Sequence, residues 1–75
     1  MLLAPDLIEK ILNCDFDNQK CIITLNNNKK LFIVYDSYDY IINYNNEDIK
    51  MYTEPNFIKA VKALKNIKKV EYRRF

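Results

Sequence analysis

The chain has no glycine, no histidine and no tryptophan, and its 75 residues include only two prolines, two cysteines and a single serine, Ser37. Without glycine, neither the P-loop nor the dinucleotide-binding fingerprint can be written. Turns then fall to Asn, Asp and Ser, whose short polar side chains support turn geometry. Without histidine, acid–base chemistry would rest on scattered carboxylates and lysines. Ser37 has no imidazole to activate it, and Cys14 and Cys21 have no base to make them nucleophiles. A structural zinc site wants four Cys or His ligands and would fall short. Cys14 and Cys21, seven positions apart, read as small buried apolar residues, with a disulfide or redox pair as the alternative. Carboxylates for a metal-dependent nuclease could come only from Asp15 with Asp17 or Asp36 with Asp39, and turns are where acids ordinarily sit. The expectation is therefore no enzyme, no cofactor and no metal.

Long apolar runs are missing too. The longest span about five residues, against roughly 20 for a membrane-crossing helix. Met-Leu-Leu-Ala runs straight into Pro5-Asp6 with no basic stretch before it, so no signal peptide is read and a cytoplasmic location is expected. What the chain does hold is 49% hydrophobic residues, enough for one small core, and a charge of +2 that is unevenly spread. Residues 1–48 carry four Lys against eight Asp/Glu, a net −4; residues 49–75 carry eight Lys/Arg against Glu54 and Glu71, a net +6. Such asymmetry points to a charged partner.

The organising stretch is 20–36, KCIITLNNNKKLFIVYD. Two β-branched and aromatic runs flank an asparagine tip, and asparagine tolerates the positive φ a tight hairpin needs. A turn centred on Asn27-Asn28, or a four-residue loop over 26–29, pairs Leu25 with Lys30, Ile23 with Phe32 and Cys21 with Val34. One face then collects Cys21, Ile23, Leu25, Phe32 and Val34, the other Ile22, Leu31, Ile33 and Tyr35. Both are apolar, whereas an antiparallel sheet usually shows water one polar face. Either two helices cover opposite faces, or both lie on one face and a partner covers the other.

Upstream, 5–13 reads as a helix with Leu7, Ile8, Ile11 and Leu12 on one side. Asp6 and Glu9 have capping-box spacing, and Leu2 or Leu3 is placed to act as a hydrophobic staple. Downstream, 38–44 alternates: Tyr38, Tyr40, Ile42 and Tyr44 against Asp39, Ile41 and Asn43. Asn45-Asn46 signals a turn and 49–52 a short fourth strand. Thr53-Glu54-Pro55 opens a second helix, in which Phe57, Ala60, Val61, Leu64 and Ile67 recur at helical spacing. Beyond Ile67 the period returns to two, marking a last strand. The fold expected is α+β, a small antiparallel sheet of three to five strands with two helices, in the order α-β-β-β-(β)-α-β.

Three surfaces are candidates for function. Asp15, Asp17, Asp36, Asp39, Glu47 and Asp48 fall in connections, and several could gather at the ends of the sheet, matching a positive surface. Tyr38, Tyr40 and Tyr44 could stack on bases, though core or interface is the favoured reading. Lys59, Lys62, Lys65, Lys69, Arg73 and Arg74 form a basic stripe that could meet phosphates; its alternative is a solvated helix face.

Parts of the chain also resemble a known family. Asp6-Leu7-Ile8 with Ile11, Asn13, Asp15 and Phe16, then Ile22-Ile23 with Asn26-Asn27, then Phe57-Ile58-Lys59-Ala60 leading to Leu64-Lys65-Asn66, are similar to segments of the small phage anti-CRISPR proteins of the Listeria-phage type that inhibit Cas9. The segments cover less than half of the chain. The resemblance implies a phage or mobile-element protein that inhibits a host or defence protein in the host cytoplasm by mimicking nucleic acid. The departures are a basic C-terminal third, where those inhibitors are acidic, and residues 41–52, which have no counterpart. Mimicry could then involve only the acidic half. The expectation is a non-enzymatic inhibitor of a CRISPR-nuclease-like protein, working through Asp15, Asp17, Asp36, Asp39, Tyr38, Tyr40 and Tyr44. The alternative is nucleic-acid binding through the basic stripe, and a homodimer through the second sheet face is a further option.

Overall fold

The computed structural model describes residues 4–44 and 48–75. The staple expected at Leu2 or Leu3 and the turn at Asn45-Asn46 lie outside the described residues. The elements run α1 (Ala4–Leu12), β1 (Gln19–Leu25), β2 (Lys30–Asp36), β3 (Asp39–Tyr44), β4 (Asp48–Tyr52), α2 (Glu54–Lys62) and β5 (Ile67–Arg74). That is the expected order. The five strands form one sheet, β4-β3-β2-β1-β5, with every neighbouring pair antiparallel.

The hairpin differs from its expected register by one residue. Cys21 pairs with Ile33, Ile22 with Phe32 and Ile23 with Leu31. The cause is the loop. The Asn28 N–H donates to Leu25 O and the Leu25 N–H to Lys29 O, both at 2.9 Å, which closes a three-residue loop over 26–28. Asn28 takes the left-handed conformation at φ 68°, as in a type I turn that ends in a bulge. An odd loop moves the partner strand by one place and flips each of its side chains to the other face. Leu31, Ile33 and Tyr35 therefore join Cys21 and Ile23, while Phe32 and Val34 lie with Ile22.

The helices differ in smaller ways. α1 begins at Ala4, so Asp6 stands within its first turn, favourably placed against the helix dipole rather than as a cap. Thr53 occupies the N-cap of α2 without a side-chain cap bond; its Oγ1 instead accepts from Asn56 Nδ2 at 3.2 Å. α2 also stops at Lys62, short of the expected Leu64 and Ile67. Asn66 turns the chain at φ 64° and accepts the Asn26 N–H at 2.8 Å, which starts β5 beside the hairpin tip. Leu64 and Ile67 still pack on the core, one from a turn and the other from a strand. Spacing that reads as a single helix is thus met by two elements.

Both helices lie on one face. α1 packs against β5 and α2, and α2 against β3 and β4. Between them and the sheet sit Leu7, Ile11, Cys14, Phe16, Cys21, Ile23, Leu31, Ile33, Ile42, Phe57, Val61 and Val70. The Tyr72 hydroxyl donates to Lys10 O and ties β5 to α1.

Candidate functional site on the open sheet face and the charged ends

The helix-covered face takes two of the three candidate tyrosines. Tyr40 stacks on Phe57 with centroids 4.0 Å apart, and Phe16 meets it edge-on at 5.4 Å. Burial, then the nearby Glu54, Tyr35 and Asp17, raise the Tyr40 phenol above its ordinary value. Tyr44 faces the same way, with the Lys50 ammonium 5.7 Å from its ring centroid. Tyr38 falls in the turn before β3 and is 86% exposed. The three do not form one platform: core packing claims Tyr40, the reading favoured from the sequence.

Among the described residues no helix lies over the opposite face. Two rows of residues cross its centre, fixed by the strand register. The first is Met51–Ile41–Val34, continued on β1 and β5 by Lys20 and Arg73; the second is Ile49–Asn43–Phe32–Ile22–Glu71. Phe32, Val34 and Ile41 are half-buried, while Ile49 and Met51 are each 63% exposed. Lys20, Phe32, Val34, Ile41, Asn43 and Ile49 line a shallow depression of about 360 Å³. Above these rows stand Lys30, Thr24 and Lys69, which pair across the sheet. Below them stand Asp36 and Asp39, which face each other across the β2–β3 turn. The open face is thus apolar in the middle, basic at one end and acidic at the other.

The strand directions extend this polarity to the whole molecule. The α1–β1 connection, the β2–β3 turn and the β4–α2 junction share one end of the sheet. They gather four of the six expected acids, Asp15, Asp17, Asp36 and Asp39, with Glu54; Asp48 instead opens β4 at the other end, and Glu47 lies outside the described residues. Asp15 and Asp17 lie on the helix side and line one depression with Arg74 and Phe75; Asp36 and Asp39 lie on the open side. The hairpin tip and the α2–β5 connection share the other end, with Lys29, Lys30, Lys65, Lys68 and Lys69. There Lys68 Nζ reaches Asn28 Oδ1 at 3.3 Å.

The basic stripe is not brought onto one surface. Lys59 and Lys62 are exposed on α2 in the helix layer. Lys69 and Arg73 share the open face with Glu71, whose carboxylate is 3.5 Å from Lys69 Nζ. Arg74 lies at the acidic end.

Cys14 and Cys21 are free and buried. Desolvation by burial raises both thiols, Cys21 to about 12. Such thiols are poor nucleophiles at neutral pH. Among the described residues no group of three or more His, Cys, Asp or Glu is placed to hold a metal ion, and no helix is long and apolar enough to cross a membrane.

Reasoning from the sequence missed the makeup of the open face. The expected register places Phe32 and Val34 with Cys21 and Ile23 and leaves undecided which face is covered, and 49–52 is expected only as a short strand. The available signal was the alternation Asp39, Ile41, Asn43, whose apolar middle member has no place on a wholly solvated face. No protein-family model, curated protein or solved structure matches the chain.

Proposed function

We propose that this chain is a non-enzymatic binding protein that docks a protein partner on the open face of its sheet. One observation carries the reading: Phe32, Val34, Ile41, Ile49 and Met51 form an apolar patch around Asn43 on the face opposite both helices, over an Ile22 that is only 3% exposed. Antiparallel sheets that face water normally put polar residues there, and exposed apolar patches with polar rims mark interaction sites. Asp36, Asp39 and the exposed Tyr38 rim the patch at one end. A partner with basic residues at that rim would be steered and oriented by them.

The finer reading is inhibition of a host or defence protein of the CRISPR-nuclease kind by a phage or mobile-element product. Its support is the segmental resemblance together with the gathering of Asp15, Asp17, Asp36 and Asp39 at one end. The test places a photo-reactive residue at Met51, on the open face, or at Lys62, on α2, in cells that produce the chain. A protein adduct from position 51, lost in Phe32→Asp and not formed from position 62, is the expected result. Nucleic-acid adducts from position 62 would favour the basic stripe, and no adduct from position 51 would sink the proposal.

A further inference from the structure

We infer that the open face is occupied by a second copy of this chain, packed sheet on sheet about a two-fold axis that runs across the strands. This rests on reading that face as a docking surface. The argument comes from the order of its rows. Along the strands they run acidic (Asp36, Asp39), apolar (Met51, Ile41, Val34), apolar (Ile49, Phe32, Ile22) and basic (Lys30, Thr24, Lys69). A two-fold contact must be self-complementary, each patch meeting its symmetry mate. An axis across the strands, midway between the apolar rows, exchanges those rows and lays the acidic end of one copy over the basic end of the other.

The matches follow strand by strand. Met51 lies over the second copy's Ile49, and Val34 over its Phe32. On β3, Ile41 lies over the second copy's Asn43, and Lys20 lies over its Ile22, which is only 3% exposed and adds little area. Arg73 lies over Glu71 of the second copy, and Asp36 over its Lys30. Symmetry doubles each of these pairs. An axis along the strands does the reverse. It stacks Asp36 on Asp36 and Lys30 on Lys30, and it lays the apolar β4 over the charged β5. Like charges so placed oppose association. The charge pattern therefore selects one of the two face-to-face arrangements.

The size fits a weak, concentration-dependent contact. Five strands at about 4.8 Å spacing, with about five residues of each in contact, give a footprint of roughly 24 by 17 Å, about 400 Å², against the ~800 Å² per partner of a standard interface. Packing at about 10 Å between sheets is the ordinary spacing of an aligned sandwich, and strands close to antiparallel across the contact keep the edge pairs on β4 and β5 in register with those on β2.

Sedimentation equilibrium on the intact chain tests this. The 9.0 kDa mass is expected to double as concentration rises and to return to the single-chain value in Phe32→Asp. Glu71→Arg and Arg73→Glu are each expected to raise the dissociation constant roughly tenfold, since each puts repulsion at two symmetric places. The double variant Glu71→Arg/Arg73→Glu restores the pair with its signs exchanged and is expected to regain the dimer. These charges are at the surface, so the swap is readable even if Phe32→Asp unfolds. A single-chain mass at every concentration, a dimer that survives all these variants, or single reversals without rescue would each overturn the inference. If the chain is monomeric yet position 51 still forms an adduct with another protein, the docking reading stands and the two-copy inference alone falls.

Discussion

Tyr40 lies flat on Phe57, ring centroids 4.0 Å apart and planes 7° from parallel. Phe16 stands edge-on to both rings, at 5.4 Å and 5.8 Å. The cluster joins the α1–β1 connection, β3 and α2, and so helps fix both helices on the same face. Removing the ring in Tyr40→Ala is expected to cost about 3 kcal/mol, the usual loss for truncating a packed aromatic. Tyr40→Phe keeps the ring and is expected to cost less than about 1 kcal/mol. Urea unfolding of the two variants against the parent gives both values.

Stability should fall in alkali. Burial raises Cys21 from 9.0 to about 12, and Cys14, Tyr40 and Tyr72 also rise. Each folded-state value lies above its unfolded one, so the folded chain holds these protons more tightly. Their contribution is full below the unfolded values and is lost as pH climbs through the folded ones. For Cys21 the window runs from 9.0 to about 12. Urea midpoints are expected to drop across it, and less steeply in Cys21→Ala. A flat profile would contradict the burial of that thiol.

The turns of a chain without glycine carry a local cost. Ser37 sits at φ 62° between β2 and β3, a conformation that costs an ordinary residue about 1 kcal/mol and glycine almost nothing. Ser37→Gly is expected to raise the melting temperature by roughly 4–8 °C per kcal/mol gained, and Ser37→Val to lower it. Asn28, at φ 68°, should gain less from glycine because asparagine tolerates this region better.

Most of the fold was legible because each element has its own signal. The alternation in 38–44 gives β3, Thr53-Glu54-Pro55 opens α2, and the return to period two past Ile67 gives β5. The hairpin register was not legible. Leu31, Phe32, Ile33 and Val34 are all apolar, so a one-residue slip leaves the hydrophobic pattern unchanged, and only the hydrogen bonds of the 26–28 loop decide it. The end of α2 was hidden for a related reason, since Leu64 and Ile67 satisfy helical spacing from outside the helix. Gathering of the acids at one end depends on strand direction, which the element order already contained. The apolar open face depends on the register and on both helices sharing a side, which it did not.

The placement of the cations bears on nucleic-acid binding. Lys59 and Lys62 lie in the helix layer and Lys69 and Arg73 on the opposite face, so one duplex meets only part of the set. Any affinity should fall with salt on a log–log slope no steeper than about −3, as for three phosphate contacts or fewer. A slope near −5, abolished by charge reversal at Lys62 and Lys65, would show that the whole stripe acts together.

The most direct measurement compares Phe32→Asp with Ile33→Asp by far-UV circular dichroism, together with photo-crosslinking from position 51. Ile33 is fully buried under the helices and Phe32 is on the open face, so a charge should unfold the chain at 33 but at 32 leave it folded and unable to bind. A folded Ile33→Asp with an unfolded Phe32→Asp, or a folded Phe32→Asp that still forms the position-51 adduct, would contradict the open face as the docking surface.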